Sequence, residues 1–193
     1  MTRRDIRLAA EGFLKEHHAD LSIPVPIEDI LELKLKIDIE PRIGLHERFG
    51  RRGILLSSGR VIIVENNDFE DYLTRYRFTL AHELGHILLH REHVDSVSVD
   101  DVAQAFAKYS SLDPKLLDEM ERDASYFAGH ILVPQTTLLV ELEKVRQRII
   151  REKKVDITGM GSDVRDPVAS ILASVFQVSE NVTRHRLEEE RLP

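Results

Sequence analysis

Apolar residues recur at helical spacing between Asp5 and His18, where Ile6, Ala9, Ala10, Phe13 and Leu14 share one face, so the chain is predicted to begin with an amphipathic helix. Pro24 and Pro26 interrupt it, and residues 26–31 read as a short helix with proline in its first turn. From Leu33 to Glu40 apolar and charged residues alternate strictly, which predicts a half-buried strand. Gly53-Ile54-Leu55-Leu56 and Arg60-Val61-Ile62-Ile63-Val64, joined across Ser57-Ser58-Gly59, read as two more strands. A small antiparallel or mixed sheet is therefore expected in the first third of the chain.

After it, Asn66-Asn67-Asp68 offers capping side chains to a helical region from about Phe69 to His90. Residues 91–99 are charged and irregular, and Asp100–Tyr109 is helix-compatible. Asp113-Pro114 places a capping carboxylate before a proline at the first helical position, predicting a helix to about Val133 that Pro134 ends. Another helix is expected over Gln135–Ile150. Residues 151–166, with Gly159, Gly161 and mixed charge, read as a linker, and 167–193 as a helix-turn-helix-like segment. The expected class is α+β and mostly helical, with a main domain over 1–150 and no internal repeat.

Composition narrows the chemistry. A chain of 193 residues should bury about 70% of its unfolded surface, enough for a core without covalent staples. The balance of 27 basic against 34 acidic residues, net −7, argues against a main role in neutralising phosphates. With no cysteine, disulfides, thiolate zinc sites, iron–sulfur clusters and cysteine nucleophiles are excluded, so any metal must be held by His, Asp or Glu. The charged N-terminus leads into no apolar signal core, and apolar runs elsewhere fall far short of the roughly 20 residues that span a bilayer. A soluble, cytoplasmic protein without a membrane partner is expected.

The chemistry concentrates in Phe78-Thr79-Leu80-Ala81-His82-Glu83-Leu84-Gly85-His86-Ile87-Leu88-Leu89-His90. His82 and His86 are four residues apart, so on a helix they stack on one face and can reach a common ion. Glu83 lies about 100° further round and can touch water at that ion without filling the coordination sphere. This is the H-E-x-x-H arrangement of zinc hydrolases, two ligands and a general base. A solvated helix face could carry the same three residues, but this helix is apolar nearly all round, and buried imidazoles need partners. One metal satisfies both. Gly85 costs about 1 kcal/mol relative to alanine inside a helix, and its missing side chain lets another element approach the metal face.

A catalytic zinc usually takes three protein ligands. The metzincin extension would need glycine at 89 and histidine at 92, where Leu89 and Glu92 stand, so that class is excluded. The helix after Pro114 offers Glu119, Glu121 and Asp123. Glu121 shares a face with Ala124 and Ala128, small enough to pack on Gly85 and deliver its carboxylate, so Glu121 is the favoured third ligand, with Asp123 and Glu119 as alternatives. On this reading Glu83 takes a proton from the attacking water and passes it to the leaving amine. The substrate is expected along the sheet edge near Arg60–Val64, and Tyr126, His130 and Arg77 are candidate oxyanion donors. His90 either supports a ligand or caps the last helical carbonyls. His17, His18, His46, His93 and His185 are expected on the surface or in loops.

The stretch from Arg77 to His86 with Leu89-His90, together with Glu121-Arg122-Asp123-Ala124-Ser125-Tyr126-Phe127-Ala128-Gly129-His130-Ile131-Leu132-Val133-Pro134, resembles the ImmA/IrrE family of metallo-endopeptidases. Ser125 stands where that family usually has asparagine, and Val133 where it has methionine. The resemblance implies a zincin-like, minimal gluzincin core, one Zn2+ per chain on His82, His86 and Glu121, and Glu83 as the catalytic glutamate. It also implies a protein substrate, a helix-turn-helix transcriptional repressor encoded nearby, in a stress-response or mobile-element circuit.

Two other readings stay open. The C-terminal pair could bind DNA or a repressor in a non-catalytic zinc-binding regulator, but its second helix sets Arg184, Arg186 and Arg191 against Glu180, Glu188, Glu189 and Glu190 and carries no basic surplus. Direct DNA binding is therefore not expected. The third reading is a zinc hydrolase acting on something other than protein.

Overall fold

The computed structural model describes residues 1–96, 99–154, 156–157 and 161–192, without the side chains of residues 70, 71 and 161–163. The chain runs through α1 (Arg3–His17), α2 (Ile27–Asp29), a π-helical turn, β1 (Asp38–Arg42), α3 (Leu45–Phe49), β2 (Gly53–Leu56), a 3-10 turn and β3 (Val61–Glu65). Helices follow: α4 (Asn66–Asp71), α5 (Leu73–Leu89), α6 (Arg91–Ser96), α7 (Val102–Ser110), α8 (Pro114–Leu132), α9 (Gln135–Lys153), α10 (Gly161–Phe176) and α11 (Glu180–Glu189). The architecture is the expected α+β, mostly helical one.

Local chemistry starts the two helices that frame the core. At α1, Thr2 accepts from the Asp5 main chain while the Asp5 carboxylate accepts from the Thr2 N–H, a reciprocal capping box. At α8, Asp113 accepts from the N–H groups of Lys115 and Leu116, with Pro114 behind it in the first turn. The three-stranded sheet is mixed, in the order β1-β3-β2, with β3 parallel to β1 and antiparallel to β2. Ile62 and Val64 on one face of β3 join the main core with Leu80 and Leu84 of α5. Ile63 on the other face meets Ile54 and Leu56 of β2 and Val102 and Ala105 of α7. So α5 and α7 cover opposite faces of the sheet.

α5 and α8 pack closely because Gly85 removes a side chain from their contact: a Cβ there would stand 3.0 Å from the Ala124 Cα. The terminal pair joins the same core through Val168, Leu172, Phe176 and Leu187. The Thr183 hydroxyl locks the pair by donating to the Ala169 carbonyl at 2.8 Å. Among the described residues, no helix is long and apolar enough to cross a membrane.

Four local expectations change. The alternating stretch 33–40 is not one strand: Ile30–Lys34 winds as the π-helical turn, Lys36 turns into left-handed backbone at φ 56, and only Asp38–Arg42 pairs. Helical winding buries Ile27, Ile30 and Leu31 together, at the spacing of one helix face, and leaves Leu33 64% exposed. The helix expected over 69–90 is broken at Tyr72. Asn66, Asn67 and Asp68 then lie inside α4 rather than capping α5, and the Asp68 carboxylate takes Arg52 and Arg75 instead. Residues 91–96, expected irregular, form α6 around buried Val94. His18, expected on the surface or in a loop, lies in the loop after α1 but is buried there, and bonds through Nε2 to the Ser22 carbonyl at 2.8 Å. The stretch 151–166 holds the end of α9 and the start of α10, and its residues 155 and 158–160 lie outside the described ones.

Candidate metal centre

α5 brings His82 and His86 to the seam with α8, and Glu121 arrives from the α8 side, one turn before Ala124. His82 Nε2 and His86 Nε2 stand 3.1 Å apart, Glu121 Oε2 is 3.2 Å from His82 Nε2, and Glu121 Oε1 is 3.9 Å from His86 Nε2. Tetrahedral ligands at zinc distances of about 2.0–2.1 Å would lie roughly 3.3 Å from one another, so one ion fits between these atoms. The donor set, two imidazoles and a carboxylate, suits zinc.

The far side of each of these side chains is also engaged. His82 Nδ1 meets the Ser125 hydroxyl at 3.2 Å, and His86 Nδ1 meets His90 Nδ1 at 3.2 Å. An Nδ1–H directed to those partners leaves both Nε2 lone pairs facing the shared point, the arrangement that orients metal-binding histidines. His90 in turn has Nε2 3.9 Å from Asp123 Oδ2, while its own main chain closes α5 on the His86 carbonyl. Its side chain thus stands against His86, while the bond that closes α5 is the helix's own main-chain one. Glu121 Oε1 accepts from the Tyr109 hydroxyl at 2.9 Å and from Arg51 Nη1.

Electrostatics follow from burial. Burial first, and the neighbouring His82 second, push the His86 imidazole well below its ordinary pKa, which favours its neutral form. Burial acts against ionisation of Glu121, but His82, His86 and Arg51 overcome it and hold that carboxyl far below the usual range. Burial pushes the Glu83 carboxyl up to about 7, with the Glu121 charge acting in the same direction. Glu83 sits against β2 at Gly53, where a Cβ would collide with Glu83 Oε1 and stand 2.8 Å from Thr79 Cγ2. Glycine at 53 makes room for this carboxyl.

Two hollows flank the cluster. A cavity of ≈ 50 Å³ between β2, α5 and α7 is walled by Leu55, Val94, Ala105 and Phe106 and touches Glu83, His86 and Glu121. A groove of ≈ 950 Å³ runs from Glu121 and Ser125 past Tyr126 to His185 on α11.

Of the residues singled out in sequence, His82, Glu83, His86 and Glu121 come together here. Asp123 turns to His90 and the N-terminal amine, and Glu119 is exposed. Tyr126 lines the groove under Arg3. Arg77 donates to the carbonyls of Val25 and Gln177, and His130 bonds Arg186, so neither faces the cluster. Sequence reasoning missed Arg51 and Tyr109. Neither lies in a spaced motif; only their arrival from separate elements brings them to Glu121.

Fold and site together define a metallopeptidase-like domain. The family model described as the IrrE N-terminal-like domain, a peptidase family, matches residues 35–188, and the chain belongs to that family. No curated protein matches the chain.

Proposed function

We propose that this chain is a zinc-dependent metallo-endopeptidase, with one zinc on His82, His86 and Glu121 and with Glu83 as general base. The observation that carries the reading is the convergence of two imidazole nitrogens and a carboxylate oxygen on one point beside a buried glutamate, each ligand anchored from behind. Bound zinc would supply a more acidic water and a polarised scissile carbonyl. Glu83 takes the proton of the attacking water and hands it to the departing amine. Glycine at 53 leaves room for its carboxyl against β2.

The expected docking edge, Arg60–Val64, is corrected by the sheet order: β3 is central and paired on both sides. The edge beside the site is β2. Because Glu65 N–H bonds the Arg52 carbonyl, antiparallel alternation turns the main-chain groups of Gly53 and Leu55 away from β3. We place an extended substrate segment along that edge, with a small apolar side chain entering the cavity at Ala105 and Phe106. The resemblance to ImmA/IrrE proteases suggests the substrate, a helix-turn-helix repressor encoded beside this gene, cleaved in the cytoplasm.

Metal analysis of the purified protein, with incubation against that repressor, tests the reading. Wild type should carry zinc and cut. Glu83→Gln should keep the metal and cut about 10²–10⁴-fold more slowly. Normal cleavage by Glu83→Gln, or cleavage that survives a chelator, would overturn the mechanism.

A further inference from the structure

We propose that Arg51 and Tyr109 are positioning residues of the metal centre, which hold one oxygen of Glu121 so that only the other is presented to the ion. This rests on the metal-site reading above. Both donors bond the same atom: the Tyr109 hydroxyl reaches Oε1 at 2.9 Å, and Arg51 Nη1 donates to it as well. Oε2 is the oxygen nearer the histidines, 3.2 Å from His82 Nε2, whereas Oε1 is 3.9 Å from His86 Nε2. The two donors also brace each other, with the Arg51 guanidinium 5.0 Å from the Tyr109 ring centroid. The Tyr109 ring stands edge-on to His86, 6.0 Å between centroids.

A carboxylate has two oxygens with about four lone-pair sites, and an unrestrained one can bind a metal through either oxygen or both. Two donors on Oε1, one of them charged, occupy that oxygen. A one-oxygen ligand leaves open the coordination position that a hydrolase needs, whereas a chelating glutamate would fill it. The position of Arg51 has the same logic. A guanidinium close to a divalent cation is repelled unless a carboxylate offsets it, and Arg51 bonds Glu121 directly. Arg51 leads into β2 and Tyr109 closes α7, so the walls of the apolar cavity are tied directly to this ligand.

The test is zinc affinity by competition with a chromophoric chelator, and the visible spectrum of the cobalt(II)-loaded full chain, in wild type, Tyr109→Phe, Arg51→Ala and Arg51→Lys. Tyr109→Phe and Arg51→Ala should each bind zinc about 10–100-fold more weakly. Their cobalt bands should lose intensity as Glu121 takes a second position, and Arg51→Lys should recover part of the affinity. In a Glu121→Ala background, Tyr109→Phe should have no further effect on affinity. Tyr109→Phe keeps the ring and its packing, so it carries the test if the Arg51 variants fail to fold. Zinc affinity within about twofold of wild type with an unchanged cobalt spectrum overturns the inference. So does an equal loss in the Glu121→Ala background. A wild-type chain that binds neither zinc nor cobalt overturns the metal-site reading and this inference with it.

Discussion

The seam between α5 and α8 and the knot between α8 and α11 use the same residue types with opposite outcomes. In the knot, Arg186 is 1% exposed and its guanidinium fills the centre. It donates to Glu189 at 2.7 Å, Glu190 at 3.0 Å and the Val133 carbonyl at 3.2 Å, with His130 Nε2 3.2 Å away. The cation is part of the chain, and the acceptors close on it. In the seam, nitrogens of His82 and His86 and oxygens of Glu121 converge, and the chain cation there, Arg51, bonds Glu121 Oε1. Histidine, glutamate and arginine in a buried cluster do not by themselves make a metal site. Convergent acceptors that need a cation from outside do.

Substitutions should separate the two clusters. Arg186→Met leaves Glu189 and Glu190 facing each other without their cation and should destabilise the fold by about 3–5 kcal/mol while metal content stays intact. His86→Ala should do the reverse, removing the metal with little change in thermal unfolding of the chelated protein. Equal effects of both on unfolding would break the distinction.

The two glycines of α5 and α8 sharpen it. Gly85→Ala drives a Cβ to 3.0 Å from the Ala124 Cα and 3.2 Å from its carbonyl oxygen, main-chain atoms that cannot swing aside. The helices must part, at a cost of about 1–3 kcal/mol and with loss of metal as Glu121 withdraws. Gly129→Ala meets only the Arg186 side chain, at 3.4 Å, and should be neutral or stabilise by up to about 1 kcal/mol through helix propensity. Urea unfolding of both variants decides the point.

The buried carboxyl of the seam also has a pH signature. Glu83 has a folded pKa of about 7 against an ordinary 4.5. Between those values the folded chain binds more protons than the unfolded one, so stability falls as pH rises through the window and the loss is complete above about 7. With a chelator present, Glu83→Gln should be more stable than wild type at pH 8 by on the order of 1–2 kcal/mol, a gap that closes toward pH 4.5. The smallest effect is expected at Ser125→Ala, which removes the partner of His82 Nδ1 at the solvent side of the seam. Zinc affinity there should fall about tenfold or less, with stability unchanged.

Much of the seam was legible along the chain because its signals are local. The i, i+4 histidines, the glutamate between them and the apolar surround are properties of one helix, and Asp113-Pro114 announces the start of the helix that bears Glu121. The misreadings came where local pattern and tertiary burial disagree. Leu33 alternates like a strand residue yet is exposed, and Asn66-Asn67-Asp68 has cap chemistry while Asp68 is drawn off by two arginines. Arg77 and His130 looked like catalytic accessories by proximity in sequence, but packing against Val25, Gln177 and Arg186 turns them away.

By itself, then, the sequence determined the class of chemistry: no cysteine, an H-E-x-x-H helix, and a carboxylate on a second helix whose small residues face Gly85. Helical period and side-chain size suffice for that. Only the tertiary structure decided that β3 lies inside the sheet and β2 at its edge. It also set Ser125 and His90 behind the histidines, and brought Arg51 and Tyr109 to the far oxygen of Glu121. Those contacts join residues up to 70 positions apart, and no periodicity along a chain encodes which distant side chains packing will bring within hydrogen-bond reach.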